Sequence, residues 1–98
     1  MTIRDDVIWK EIVRRLRGAF ISGRISGWVR RNWEMFVRGE DFCSEELRKL
    51  RSTNPGFDAF VMQNSLSESE QSAIVREALG QACLNRMFIP PQEYIATE

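Results

Sequence analysis

The chain has 98 residues, room for one small hydrophobic core, and its 14 Lys+Arg balance 14 Asp+Glu with no histidine anywhere. Without histidine there is no imidazole base, no imidazole metal ligand and no Ser-His or Cys-His nucleophile pair. Apolar runs such as Ala19-Phe20-Ile21 and Met87-Phe88-Ile89 are short, whereas a membrane-spanning helix needs about 20 apolar residues together.

The start, MTIRDDV, lacks the basic and apolar stretches of a secretory signal, so a cytoplasmic protein is expected. Thr2-Ile3-Arg4-Asp5 has capping-box spacing, and Asp5 and Asp6 suit the positive end of a helix dipole. The spacing predicts a helix over 3–20. At 100° per residue Ile8, Trp9, Ile12, Val13, Leu16, Ala19 and Phe20 share an arc of about 140°, and the opposite arc carries Arg4, Lys10, Arg14, Arg15 and Arg17.

The segment from Ser22 to Gly27 reads as a connection, with Ser26 as the N-cap of a second helix over 27–38. Val29, Trp33, Phe36 and Val37 fall on one core-facing arc, while Arg30, Glu34 and Arg38 follow at i, i+4 and i+8 on the outside. Trp28 and Met35 fall on another side, beside Arg31, which leaves Trp28 available to a partner.

After Gly39 the chain turns acidic. Glu40 to Ser44 reads as a turn, with Ser44 capping a short helix over 45–51 that buries Leu47 and Leu50. Asn54-Pro55 opens a second short helix over 55–63 with Phe57, Phe60 and Val61 on one stripe. Ser67-Glu68-Ser69-Glu70 is a capping box for a long helix over 68–87, whose core arc holds Ile74, Val75, Ala78, Leu79, Ala82 and Cys83. Pro90-Pro91 ends helical structure, and the extended tail 90–98 carries Tyr94 and Ile95 as residues expected to pack on this chain or on a partner. No strand pattern or internal repeat appears. The expectation is an all-α single-domain bundle of three main helices, two short ones and a tail, with a basic half over 1–38 and an acidic half over 39–89.

Residues 1–38 hold nine Lys+Arg against four Asp+Glu, and residues 39–98 hold five against ten. Twelve of the 14 cations are arginine, whose planar fork matches phosphate and carboxylate oxygens in pairs. Lys10, Arg14 and Arg17 form one row on the first helix, and Arg24, Arg30, Arg31 and Arg38 follow. Such a strip, with Trp28 for stacking, suits a nucleic-acid backbone. The same residues suit an acidic protein surface, and they also suit simple neutralisation by the acidic half. No helix-turn-helix, zinc-finger, RRM or KH signature accompanies them, so sequence-specific reading is not expected.

Other chemistries find less support. Glu40, Asp41, Glu45 and Glu46 cluster but match no calcium loop. Cys43 and Cys83 have no CxxC spacing and read as reduced core thiols. No SxxK, GxSxG or GxxxxGK[ST] is present, and neither a metal nor a cofactor is expected. A membrane-surface role is disfavoured because the apolar face of the first helix finds matching faces on the others. An anion at the start of the second helix, near Arg24 and Arg30, competes with plain capping by Ser26. The sequence therefore points to a non-enzymatic subunit of a nucleoprotein assembly, within an oligomer or larger complex. The alternative is a protein–protein module (an inhibitor, adaptor or homo-oligomer, including the phage- or mobile-element-encoded kind) using the same Arg/Trp face.

Overall fold

The computed structural model describes residues 6–84, and among them every regular element is an α-helix. In chain order these are α1 (Asp6–Ser22), α2 (Ser26–Arg38), α3 (Ser44–Ser52), α4 (Pro55–Asn64) and α5 (Glu68–Leu84). The predicted Thr2–Asp5 capping box, the end of the last helix and the tail with Tyr94 and Ile95 lie outside the described residues.

α5 is the central element. Ile74, Val75, Ala78, Leu79 and Ala82 are buried, and α1 packs along it through Ile12, Val13, Leu16, Ala19 and Phe20. Trp9 Nε1 donates to Glu77 at 3.1 Å and Arg17 Nη1 donates to Gln81 at 3.2 Å, so the two helices run in the same sense. α4 runs against α1: Trp9 meets Phe60 edge-on at 6.2 Å, and the Arg15 guanidinium lies over Gly56. α3 closes the core with Leu47 and Leu50, and Phe42 and Leu66 plug it from the connections. Ile8, at the edge of the α1 apolar arc, is exposed.

α2 departs most from its predicted packing. Trp28 is 5% exposed, held between Phe20 and Phe42, with Nε1 donating to the Glu46 carbonyl at 2.8 Å. It is a core residue and offers no face for stacking. The expectation failed because Asn32, a polar residue, sits inside the buried arc. With Asn32 counted, Trp28, Asn32, Phe36, Val29 and Trp33 form one continuous arc of about 140°. Asn32 tolerates burial because its Nδ2 donates to the Trp28 carbonyl at 2.9 Å and to Glu46 at 3.1 Å. Val37, predicted as core, lies past the edge of that arc and is 65% exposed.

The helix starts also differ from expectation in two places. Ser26 is the first residue of α2 rather than its cap, because the tight turn at Gly23 (φ +80°) ties Ser26 N to the Gly23 carbonyl at 3.3 Å. Ser44 likewise falls inside α3, with extended Cys43 at the cap position. Burial of Phe42 sets that register, its amide donating to the Ser72 hydroxyl at 3.0 Å. Asn54 and Pro55 do occupy the cap and first positions of α4, yet Asn54 Nδ2 turns back to the Leu50 carbonyl. The Ser67 and Glu70 box opens α5 as predicted, with reciprocal bonds of 3.0 and 3.1 Å. Cys43 is exposed and Cys83 half-buried, so the two are free thiols but not a core pair.

Candidate functional site

α1 presents Lys10 and Arg14 to solvent, as its apolar arc requires, and turns Arg17 toward α5. Arg14 is bidentate on Glu11, with both Nη2 contacts at 2.8 Å, and Arg15 Nε reaches the same carboxylate at 3.0 Å. These hydrogen bonds, from Arg14 first and Arg15 second, hold the Glu11 carboxyl below the usual range. On α2, Arg30 is exposed, Arg38 pairs with Glu34 at 2.5 Å, and Arg31 crosses to Glu46 on α3 at 3.1 Å. Burial works to raise the pKa of Glu46, but hydrogen bonds from Arg31 and Asn32 and the charges of Arg31 and Lys49 outweigh it, leaving the carboxyl lowered. Of the cations singled out in the sequence, Arg31 is thus held by an acid of the second half, Arg14 and Arg38 by acids of their own helices, and Arg17 by a neutral amide.

The turn between α1 and α2 gathers cations in a way that spacing does not reveal. Gly23 reverses the chain there, and Arg24 follows it, its Nε and backbone amide both on the Ser22 hydroxyl. A groove of about 430 Å³ between α1 and the start of α4 is lined by Arg24, Arg15, Gly56 and Phe57, among others. A second groove of about 330 Å³ runs between α2 and the end of α3, carrying Arg31 and Lys49. Arg24 and Thr53 belong to both linings, so the grooves adjoin. Neither lining contains an aspartate or glutamate.

Arg15 and Lys49 are the functional candidates that sequence reasoning missed. Arg15 was visible on the basic arc of α1 but fell outside the Lys10, Arg14 and Arg17 row. Lys49 was masked by the acidic balance of its half, although Arg48-Lys49-Leu50-Arg51 is locally basic. Trp28 contributes to the second groove only as a buried floor. Nothing in the structure brings Lys10 or Arg14 into either groove lining.

A third recess, of about 300 Å³, lies between Ser44, Arg48, Arg51, Glu68 and Gln71. Arg51 is structural: Nη1 donates to Gln71 at 3.0 Å, and Nε stands 3.1 Å from Asp58 as an ion contact not aligned as a hydrogen bond. Glu45 and Glu46 are engaged with Lys49 at 3.9 and 3.8 Å. Among the described residues no three Cys, Asp or Glu gather as metal ligands. Burial raises the Cys83 thiol pKa, which disfavours the nucleophilic thiolate there. No helix among the described residues is long and apolar enough to cross a membrane. No protein-family model matches this chain, and comparison with curated proteins and with solved structures likewise finds no match.

Proposed function

We propose that the protein is a non-enzymatic helical subunit of a nucleoprotein assembly, contacting nucleic-acid backbone without sequence specificity through its Arg-rich N-terminal half. The observation that carries this reading is how the basic residues are held. Lys10, Arg14, Arg24, Arg30, Arg31 and Arg38 are all exposed, and the ion pairs of Arg14 and Arg38 are made on the surface of their own helices. Exposed pairs of this kind contribute little to stability, so a phosphate can replace the carboxylate at little cost. With Trp28 and Trp33 in the core, recognition rests on charge and forked hydrogen bonds, which read the backbone and not the bases.

Binding of labelled single-stranded and duplex DNA and RNA, followed by fluorescence anisotropy across a salt series, tests the reading. Each phosphate contact contributes about −0.7 to −0.9 to the slope of log K against log salt. A Lys10/Arg14/Arg17 triple alanine variant is expected to flatten that slope. No binding to any of the four at 20–50 mM salt overturns the proposal.

A second reading, a protein–protein module docking on an acidic surface, is favoured by Val37. This 65% exposed apolar residue stands one turn from Glu34 and two from Arg30 on the outer face of α2, and arginine is enriched among interface hot spots. Under this reading the protein works as an inhibitor, adaptor or homo-oligomer, and size-exclusion with light scattering tests the last of these.

A further inference from the structure

We infer that the two adjoining grooves form one seat for a single-stranded nucleic-acid backbone, with Arg24 between two successive phosphate positions, Arg15 on one side and Arg31 with Lys49 on the other. This deepens the nucleoprotein reading and rests on it, but it moves the contact from the outer face of α1 to the junction of four helices.

Three observations converge there. Arg15, Arg24, Arg31 and Lys49 come from α1, the turn, α2 and α3, and they meet at two recesses whose linings hold no acid. Arg15 is paired with Glu11, and Arg31 and Lys49 with Glu46, on carboxylates outside the linings, and an entering phosphate competes for these cations, while Arg24 bonds the neutral Ser22 hydroxyl. Secondly, the recesses adjoin through Arg24 and Thr53, so one arginine borders both, as a repeating phosphodiester chain requires. Thirdly, Gly27 lines one recess and Gly56 the other, in the first turns of α2 and α4, and no side chain caps either helix. The side chain that normally caps α4, Asn54, is committed to Leu50. Phosphate oxygens find backbone N–H donors there in addition to the side-chain cations.

The shape selects a single strand. Recesses of about 430 and 330 Å³ are on the scale of small-molecule pockets. They admit a flexible strand, whereas the backbone of a duplex is a convex ridge that meets only the rim. Phe57 and Trp28, the aromatic residues in the linings, are buried floors at 2% and 5% exposure, so bases gain no stacking platform. Binding is therefore independent of base sequence and strongly salt-dependent.

The test is anisotropy of labelled mixed-sequence 12-mers, single-stranded and duplex, against wild type, Arg15→Gln/Arg24→Gln/Lys49→Gln, Arg24→Gln alone, and Lys10→Gln/Arg14→Gln as the outer-face control. These side chains are exposed, and thermal melts confirm folding; the Arg24 variant, changed only in a turn, carries the test if the triple variant unfolds. The expected result is at least tenfold weaker strand binding by the groove triple variant, with a slope shallower by about 2, and a smaller loss in the control. Amide shifts at Gly27, Thr53 and Gly56 on adding the strand support the same placement. Equal binding by wild type and both groove variants, or a preference for duplex over strand, overturns the inference while leaving the nucleoprotein reading intact. Wild type that binds neither at low salt overturns both, and tighter binding of polyglutamate than of the strand assigns the grooves to an acidic protein instead.

Discussion

Arg76 shows how much one side chain from the acidic half contributes to the basic half. Its Nη1 donates to the Phe36 carbonyl at 2.8 Å and its Nη2 to the Glu40 carbonyl, while the guanidinium lies 5.2 Å from the Phe42 ring and 5.8 Å from Phe36. These carbonyls lie at and just beyond the C-terminus of α2, where Gly39 adopts φ +75° and its amide bonds Phe36, so a cation also meets the negative end of the helix dipole. Arg76→Leu is expected to cost about 2–3 kcal/mol in urea unfolding, since two carbonyls lose a charged donor and two rings lose a cation. Arg76→Lys recovers only part of this, because an ammonium lacks the planar fork that bridges two acceptors. Glu46 gives the pH counterpart. Its carboxyl is lowered in the folded state, so its stabilising effect is present above the ordinary carboxylate pKa and disappears as pH falls through the lowered value. Glu46→Gln should lose about 1 kcal/mol at pH 7. The gap from wild type should close in acid, and a gap unchanged down to pH 2.5 would refute the ionic role.

At the scale of the element, helix starts separate local chemistry from tertiary demand. Ser67 and Glu70 cap α5 reciprocally, so Ser67→Ala should cost about 1 kcal/mol. Ser26→Ala and Ser44→Ala should stay within about 0.5 kcal/mol of wild type, because neither serine is the cap its sequence position suggests. Thermal melts of the three variants measure the contrast, and equal losses would sink it. The reason one box was legible and two caps were not is physical. The Ser67 box is closed by residues three apart, whereas the starts of α2 and α3 are shifted by the Gly23 turn and by the burial of Phe42 against Ser72. Long-range partners hide from periodicity in the same way. The α1 core face and the apolar arc of α5 were readable because apolar residues define them, whereas the burial of Gln71 and Ser72 beside that arc was not. α2 was not, since Asn32 is buried by virtue of Glu46, fourteen residues away. The basic arc of α1 could be read directly, but that Arg15 shares a groove with Arg24, and Arg24 a second one with Arg31 and Lys49, depends on which helices converge at the turn, which no local pattern encodes.

Over the whole molecule the question is whether its cations serve folding or an external anion, and salt separates the two. The core is built of apolar residues from all five helices, whose burial does not weaken with ionic strength. The pairs Arg14–Glu11, Arg15–Glu11 and Arg38–Glu34 are more than one-third exposed on both sides, so their loss to screening costs the fold little. For a chain of this size about 1 kcal/mol corresponds to roughly 4–8 °C in Tm. Raising salt from 50 to 500 mM is therefore expected to move Tm by less than about 8 °C, while strand binding falls by about two orders of magnitude if three phosphates are held. Parallel scanning calorimetry and anisotropy on the same samples check both halves. If Tm collapses with salt while binding is absent throughout, the basic half is neutralised inside the fold, and its arginines are structural. If Tm holds and binding falls steeply, the fold stands without those charges and they are free to meet phosphate.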